Sequence, residues 1–330
     1  MDLRAHRTLA RLTQGELAER AGVSRQLVGA VEAGRHLPRV DAAIRLAGAL
    51  GVDVRELFAL HQSPCDIVTG ELPPSGSQVR AARVGDAIVT APARVGPDGW
   101  DLADAVVEKE DLNSFEGVRA GFVVAGCEPG LEVVERILRE LDIGAVAANS
   151  SSAAARAALE AGRVHAAVVH GPDLTAVEAP TSVSVVRFGL SRWRVGLAAP
   201  RDVSVDWWRQ ALQGRTPVVQ REPGAGVQRA FEQAVGRTGI PGPRLSTHVA
   251  AARRGHVTGL PAVTIEPAAL ATGAAFHPIE IHDAELWVVA DWLSERVVGA
   301  ALEVVTSRRF RQRLLSIGGY DLADCGVRVA

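Results

Sequence analysis

The chain has 330 residues, 47% of them hydrophobic and 22% charged, and a formal net charge of −2. That composition can bury a full core, excludes a disordered chain, and sets a prior of two or three domains. The longest apolar runs are broken by Arg, Asp, Gly or Pro, and the opening "MDLRAHRTLARL" has no apolar leader core, so neither a membrane span nor a signal peptide is expected.

Cys65, Cys127 and Cys325 are far apart and odd in number, which fits a reducing, cytoplasmic setting without a disulfide framework. Of the 36 basic residues, 35 are Arg and one is Lys109, so any single Arg carries little weight. Residues 1–60 hold nine Arg and seven acidic residues, a net of +2; the remainder holds 27 basic and 31 acidic, a net of −4. A slightly basic head on an acidic body suits a small DNA-binding module.

In chain order, Thr13-Gln-Gly-Glu16 forms a capping box and opens a helix with Leu17, Ala18 and Ala21 inward. Gly22 ends it, where a left-handed residue is wanted. Ser24 caps a second helix, with Val28 and Val31 inward and Arg25, Gln26, Gly29 and Ala30 outward. Ala33-Gly34 stops that helix. Leu46, Ala47 and Leu50 mark another, and Asp53-Val-Arg-Glu56 caps a last one carrying Leu57 and Phe58. Short helices, two of them joined by a three-residue turn at 22–24, are helix-turn-helix geometry.

The stretches "LTQGELAERAGVS", "VEAGRHLP" and "LAGALGVDVRELF" resemble the Cro/lambda-repressor-like (XRE) DNA-binding family over about residues 3–60. By that resemblance the recognition helix is 24–32. Ser24 and Gly29 lie on its DNA side, and Arg25 and Gln26 face base edges, Arg onto guanine and Gln onto adenine. Gln14, Arg35 and Arg39 meet phosphates. Glu32 is expected to tie the helix end to a neighbour.

Residues 61–77, with Pro64 and "LPPSGS", read as a linker or loop. Val79–Ala91 reads as two strands around a Gly85-Asp86 turn, and about 78–113 as a small β-rich module or a hairpin packed on the next domain. From Gly117 strands and helices alternate, which predicts a mostly parallel sheet covered on both faces, with functional groups in the loops after the strands. Those loops are Gly126–Gly130, Asn149–Ser152 and His170–Asp173.

Two α/β runs with a return crossing resemble the type II periplasmic-binding-protein fold, more narrowly the molybdate-binding-protein-like ligand domain that is fused to helix-turn-helix modules. "AGCEPGL", "AAVVHGPDL", "RVGLAAP", "QREPGAGVQRAFE", "STHVAAARRG" and "SRRFRQRLLSIGGYDLADCG" carry the resemblance. It implies a multidomain chain: an all-α helix-turn-helix head at 1–62, a linker and small β-rich module at 63–115, and a two-lobed α/β body at 116–330. Lobe 1 takes about 116–194 and 280–330, and lobe 2 about 195–279. The implied ligand cleft is lined by Cys127, Glu128, Ser150, Ser151, His170, Arg221, Gly224, Gly226 and His248. Ser150 and His170 match the family pattern. Ala225 and Val227 stand where small hydroxyl residues are usual, Gln228 where an Arg is common and Thr258 where an acid is common.

Other chemistries find little support. No Gly-x-Gly-x-x-Gly loop follows the first body strand, no nucleophile-elbow glycines surround Ser150–Ser152, and the nine His and three Cys have no zinc spacing. Neither metal nor cofactor is expected. Ser150–Ser152 also reads as an N-cap cluster, Cys127 as a thiol before a helix start where a thiolate would be favoured or as a small buried hydrophobe, and Trp207, Trp208 and Trp287 as lobe packing. Three functions remain: a one-component transcriptional regulator sensing a small molecule, a constitutive DNA-binding dimer with a degenerate body, and an enzyme, for which no acid–base or nucleophile constellation speaks. The expected partners are two-fold double-stranded DNA, a second copy of the chain, and an organic metabolite ranked slightly above an oxyanion such as molybdate, with no membrane contact.

Overall fold

The computed structural model describes residues 3–32, 38–54, 57, 64–96, 99–100, 102–109 and 111–329. The chain divides into two compact units, Met1–Gln62 and Ser63–Ala330.

In the first unit α1 spans Leu3–Leu9, α2 Gln14–Ala21, α3 Arg25–Glu32 and α4 Val40–Leu50. The Thr13/Glu16 capping box is formed, and Gly22 closes α2 at φ 62° with its N–H on the Ala18 and Glu19 carbonyls. The Ser24 hydroxyl accepts the Leu27 amide and starts α3. Leu17, Val28 and Leu46 are fully buried and pack with Leu3, Ala21 and Leu57. Glu56 and Phe58, expected in a last helix, lie outside the described residues.

The second unit opens with a five-stranded sheet: β1 (Cys65–Asp66), β2 (Gln78–Val84), β3 (Ala87–Pro92), β6 (Ala105–Glu108) and β7 (Asp111–Ser114), in the order β1-β3-β2-β6-β7. A separate hairpin pairs β4 (Val95–Gly96) with β5 (Gly99–Trp100). Val84 pairs with Ala87, so Gly85-Asp86 is the two-residue turn. Within 64–77 only Cys65–Asp66 is a strand and the rest is turn or loop, as read, but the segment is packed into a core of the body. Asp66 accepts the amides of Val68 and Thr69 in a local turn, and Ile67 is fully buried. Ile67, Ala82 and Val89 share one core with Val123, Val146 and Ala158 of the body. Arg80 reaches out of this sheet to both carboxylate oxygens of Glu135 at 2.7 Å, in a buried pair. The polar, proline-containing sequence hid this packing because few of its apolar residues are periodic.

The main sheet has the order β14-β11-β15-β10-β8-β9. Its strands are β8 (Gly121–Gly126), β9 (Gly144–Asn149), β10 (Ala166–Gly171), β11 (Val185–Ala199), β14 (Ala262–Ile265) and β15 (Ala275–Val289). The β8–β9 and β8–β10 pairs are parallel; the β10–β15, β11–β15 and β11–β14 pairs are antiparallel. The expected mostly parallel sheet is therefore a mixed one. The cause is the pair of 15-residue strands, β11 and β15, which run antiparallel through the whole body. Bulges break their register at Gly189/Ser191 and Val195/Gly196.

Lobe 1 packs α5 (Gly130–Glu140), α6 (Ser152–Glu160), α11 (Arg296–Thr306) and α12 (Arg308–Ile317) around β8–β10. In α5, Leu131, Val134, Ile137 and Leu138 fall on one stripe and are buried. Lobe 2 holds α7 (Val205–Leu212), β12 (Gln220–Arg221), α8 (Gly226–Val235), β13 (Arg244–Leu245), α9 (His248–Thr258), β14 and α10 (Glu266–Ala271). One hydrophobic core runs from Phe122 and Leu131 through Trp193 to Val218 and Phe231. The body is thus a two-lobed α/β structure joined by two shared strands. No described helix is long and apolar enough to cross a membrane.

Candidate functional site

Two places gather functional groups. At the start of α3, Ser24, Arg25 and Gln26 are exposed, while Gly29 is half-buried. Glu32, at the other end, accepts from Arg7 at 2.5 Å and from the Gln14 amide at 2.8 Å. It is the expected tie; burial pushes its pKa up, but the Arg7 and Gln14 donors outweigh that and hold it low. Gln14 lies beside Gly29, whose added Cβ would stand 3.8 Å from Gln14 Oε1. Arg39 is exposed at the N-cap of α4. Arg35 lies outside the described residues.

The second place is the seam between the lobes. His170 ends β10 in lobe 1, and Trp193 and His282 face each other across β11 and β15. Arg221 lies on β12, and His248 begins α9, capped by the Thr247 hydroxyl. The Trp193 ring lies 4.9 Å from His170, 5.5 Å from His282 and 6.2 Å from His248. Gly226 allows α8 to come this close: a Cβ there would stand 3.0 Å from the His170 ring.

The hydrogen bonds fix the protons. Arg221 Nη1 donates to His248 Nδ1 at 2.7 Å; because guanidinium only donates, His248 carries its proton on Nε2. His282 Nε2 donates to Glu280 at 2.5 Å, so its Nδ1 accepts from His170 Nδ1 at 2.9 Å. Burial pushes the His170 pKa down to about 3, helped by the neighbouring His282 and by Arg221 and Arg229. Burial likewise lowers His282, and lowers His248 well below the usual range. All three rings are neutral at pH 7.

Two charged members of the expected lining are fully engaged. Arg221 is 0% exposed and also donates to Glu222 and to the Leu245 and Ser246 carbonyls. It sits among its own lobe's acceptors. The buried Glu128 carboxylate accepts from Gly130 N, Ser191 Oγ, Trp193 Nε1 and Tyr320 OH at 2.7–2.9 Å.

Of the two readings of Cys127, that of a small buried hydrophobe is the one the structure supports. Burial pushes its thiol up to about 12 despite Arg221, so the neutral thiol persists and the helix start does not favour a thiolate. Ser151 caps α6, as the N-cap reading has it, and the Ser152 hydroxyl accepts the His170 amide. Ser150 is buried and its hydroxyl has no partner. Gly224 is exposed and Gly226 half-buried. The seam therefore brings Cys127, His170, Arg221, Gly226 and His248 together, with Glu128 tied to Trp193. Trp193, His282 and Tyr320 were not foreseen. An alternating "RWR" in a strand gives no sign of a facing histidine 89 positions later, which only the register supplies. Trp287 is fully buried core, and Trp208 stacks on His277. Among the described residues no group of three His, Cys, Asp or Glu is placed to hold a metal ion.

A helix-turn-helix family profile matches residues 3–57. The chain is 46% identical over 61 residues to an uncharacterized HTH-type transcriptional regulator of Methanothermobacter thermautotrophicus, spanning 18% of this chain and 88% of that protein. A second such regulator, from Methanocaldococcus jannaschii, is 39% identical over 56 residues, or 17% and 85% of the two chains. The body is similar in outline to an ABC-type phosphate transport receptor from Vibrio cholerae, at 12% identity and a TM-score of 0.43, over 60% of this chain and 98% of that one. The regulatory domain of a LysR family regulator from N. meningitidis gives 8% identity and a TM-score of 0.42, over 64% and 98%. Neither likeness assigns a ligand. The helical head places the chain in a family: it belongs to the helix-turn-helix transcriptional regulators.

Proposed function

We propose that the chain is a one-component regulator: the head at 1–62 binds operator DNA, and the body at 116–330, with the β-rich segment at 63–115 packed on it, senses a small molecule at the lobe seam. The carrying observation is that β11 and β15 belong to both lobes and set Trp193 and His282 beside His170 of β10 and, through Trp193, beside His248, which Arg221 holds. Parting or closing the lobes about such strands changes the body's shape, and a ligand that prefers one shape shifts the balance.

Arg25 and Gln26 are the proposed base readers, with Ser24 and Gly29 on the same face and Gln14, Arg35 and Arg39 on phosphates. One small helical module buries too little surface for tight binding, so two copies act on a two-fold site, with the body as the contact between copies. Sedimentation on operator DNA is expected to show two chains; a single chain on one half-site contradicts this. No catalytic role is assigned.

Fluorescence anisotropy of the full chain on its operator, repeated with fractionated metabolite extract, tests the sensing role. One fraction is expected to change affinity at least fivefold. A second reading, a constitutive dimer with a degenerate body, is favoured by the mutual bonding of the seam's charged groups. Operator affinity indifferent to every fraction selects it.

A further inference from the structure

Every buried charge described at the seam already has partners. Arg221 is bonded to Glu222 and two carbonyls, and Glu128 accepts four donors. Arg229, whose charge also reaches His170, is exposed, where water screens it. A charged ligand entering here would lose hydration and find no free buried opposite charge among the described residues, which is strongly unfavourable.

Two neutral groups are left over. His248 is 1% exposed, and its Nε2, which carries the proton, has no partner. The Ser150 hydroxyl is likewise buried without one, on the loop that bonds to Gly126 next to Cys127. A buried N–H without an acceptor is rare and costly. His248 cannot turn its ring to escape, because Nδ1 is held by Arg221.

The geometry points to an uncharged effector that presents a hydrogen-bond-accepting oxygen, of the amide or lactam carbonyl type, to the His248 Nε2–H. This deepens the sensing role proposed above and rests on it. The ligand carbonyl completes the one donor that Arg221 orients, and an oxyanion, which needs several convergent donors or a free cation, is disfavoured.

Isosteric pairs that differ only in charge test this: benzamide against benzoate and nicotinamide against nicotinate, with molybdate as an inorganic anion. Binding to the full chain at pH 7.5 is read by saturation-transfer NMR, or by calorimetry for molybdate. The amides are expected to bind at least tenfold more tightly than their carboxylates and than molybdate. His248→Phe should weaken the amides about tenfold, the loss of one hydrogen bond. His248→Gln keeps both an acceptor for Arg221 and a donor for the ligand, and should stay within about threefold. It also serves if the Phe variant does not fold.

Carboxylate or molybdate binding as tight as the amides overturns the ligand class while leaving the sensing role standing. Amide binding unchanged in both variants removes His248 from the site. If no probe binds, the inference fails, and the operator assay with extract decides the sensing role on its own.

Discussion

The start of α3 and the lobe seam use polar residues in opposite ways. Arg25 and Gln26 stand exposed, free of internal partners that the fold requires. Arg221 and Glu128 are buried and their hydrogen bonds are made within the body. On the head, the proposed base readers are what the fold leaves open. At the seam most polar groups hold the structure together, and His248 Nε2 and the Ser150 hydroxyl are the buried exceptions among the described residues. An Arg in a candidate cleft is therefore weak evidence for an anion until its own partners are counted.

The contrast is broken or sharpened most strongly by removing the seam's charged anchors. Glu128→Ala leaves four donors without an acceptor, and Arg221→Ala empties a fully buried site. Each is expected to cost the body about 3–5 kcal/mol in urea unfolding. Unfolding curves that match wild type would mean these groups are not the anchors the hydrogen bonds imply.

Acid should weaken the body next. Burial holds His165 near 4 and His170 near 3, below their value of about 6.5 in the unfolded chain. The unfolded state therefore binds more protons as pH falls. This stability is complete above about pH 6.5 and declines as pH falls toward 4 and then 3, at up to about 1.4 kcal/mol per pH unit for each ring. Between pH 7 and 5.5 a loss of about 2–4 kcal/mol is expected, less in His165→Asn. A body equally stable at both values contradicts the buried neutral rings.

On the head, Arg25→Ala should cost operator affinity about 1–3 kcal/mol and relax one base preference, with stability unchanged within about 0.5 kcal/mol. An intact preference would move the recognition helix elsewhere. The smallest effect is expected from Arg39→Ala, about 0.5–1 kcal/mol on all sequences alike, with the salt slope reduced by about 1. Sequence-dependent loss in that variant would make Arg39 a base reader.

The head was legible because its signals are local. The Thr13/Glu16 box, Gly22 and Ser24 act within four residues of themselves, and the structure forms each of them. The strands and helices of the body were legible in outline for the same reason. The handover of β11 and β15 between lobes was not, since each strand's antiparallel partner lies far away in sequence. Nor was the bonding of Arg221 within its own lobe, or the meeting of Trp193 with His282, because register, not periodicity, decides both. The packing of the loop around Ile67 was not legible, because its one deeply buried apolar side chain stands outside any periodic pattern.

The bond from Tyr320 to Glu128 joins residues 192 positions apart. On the same side Asp321 bridges to Arg192, and Arg328 to Phe188. At synthesis rates of about 5–20 residues per second, Glu128 waits on the order of ten to forty seconds for its phenolic donor. The head needs no such wait, since its apolar cluster closes within the first sixty residues. A nascent chain therefore displays a finished DNA-binding module well before its body can settle, and the unfinished body, with long-range contacts still to make, is the part that chaperones would meet.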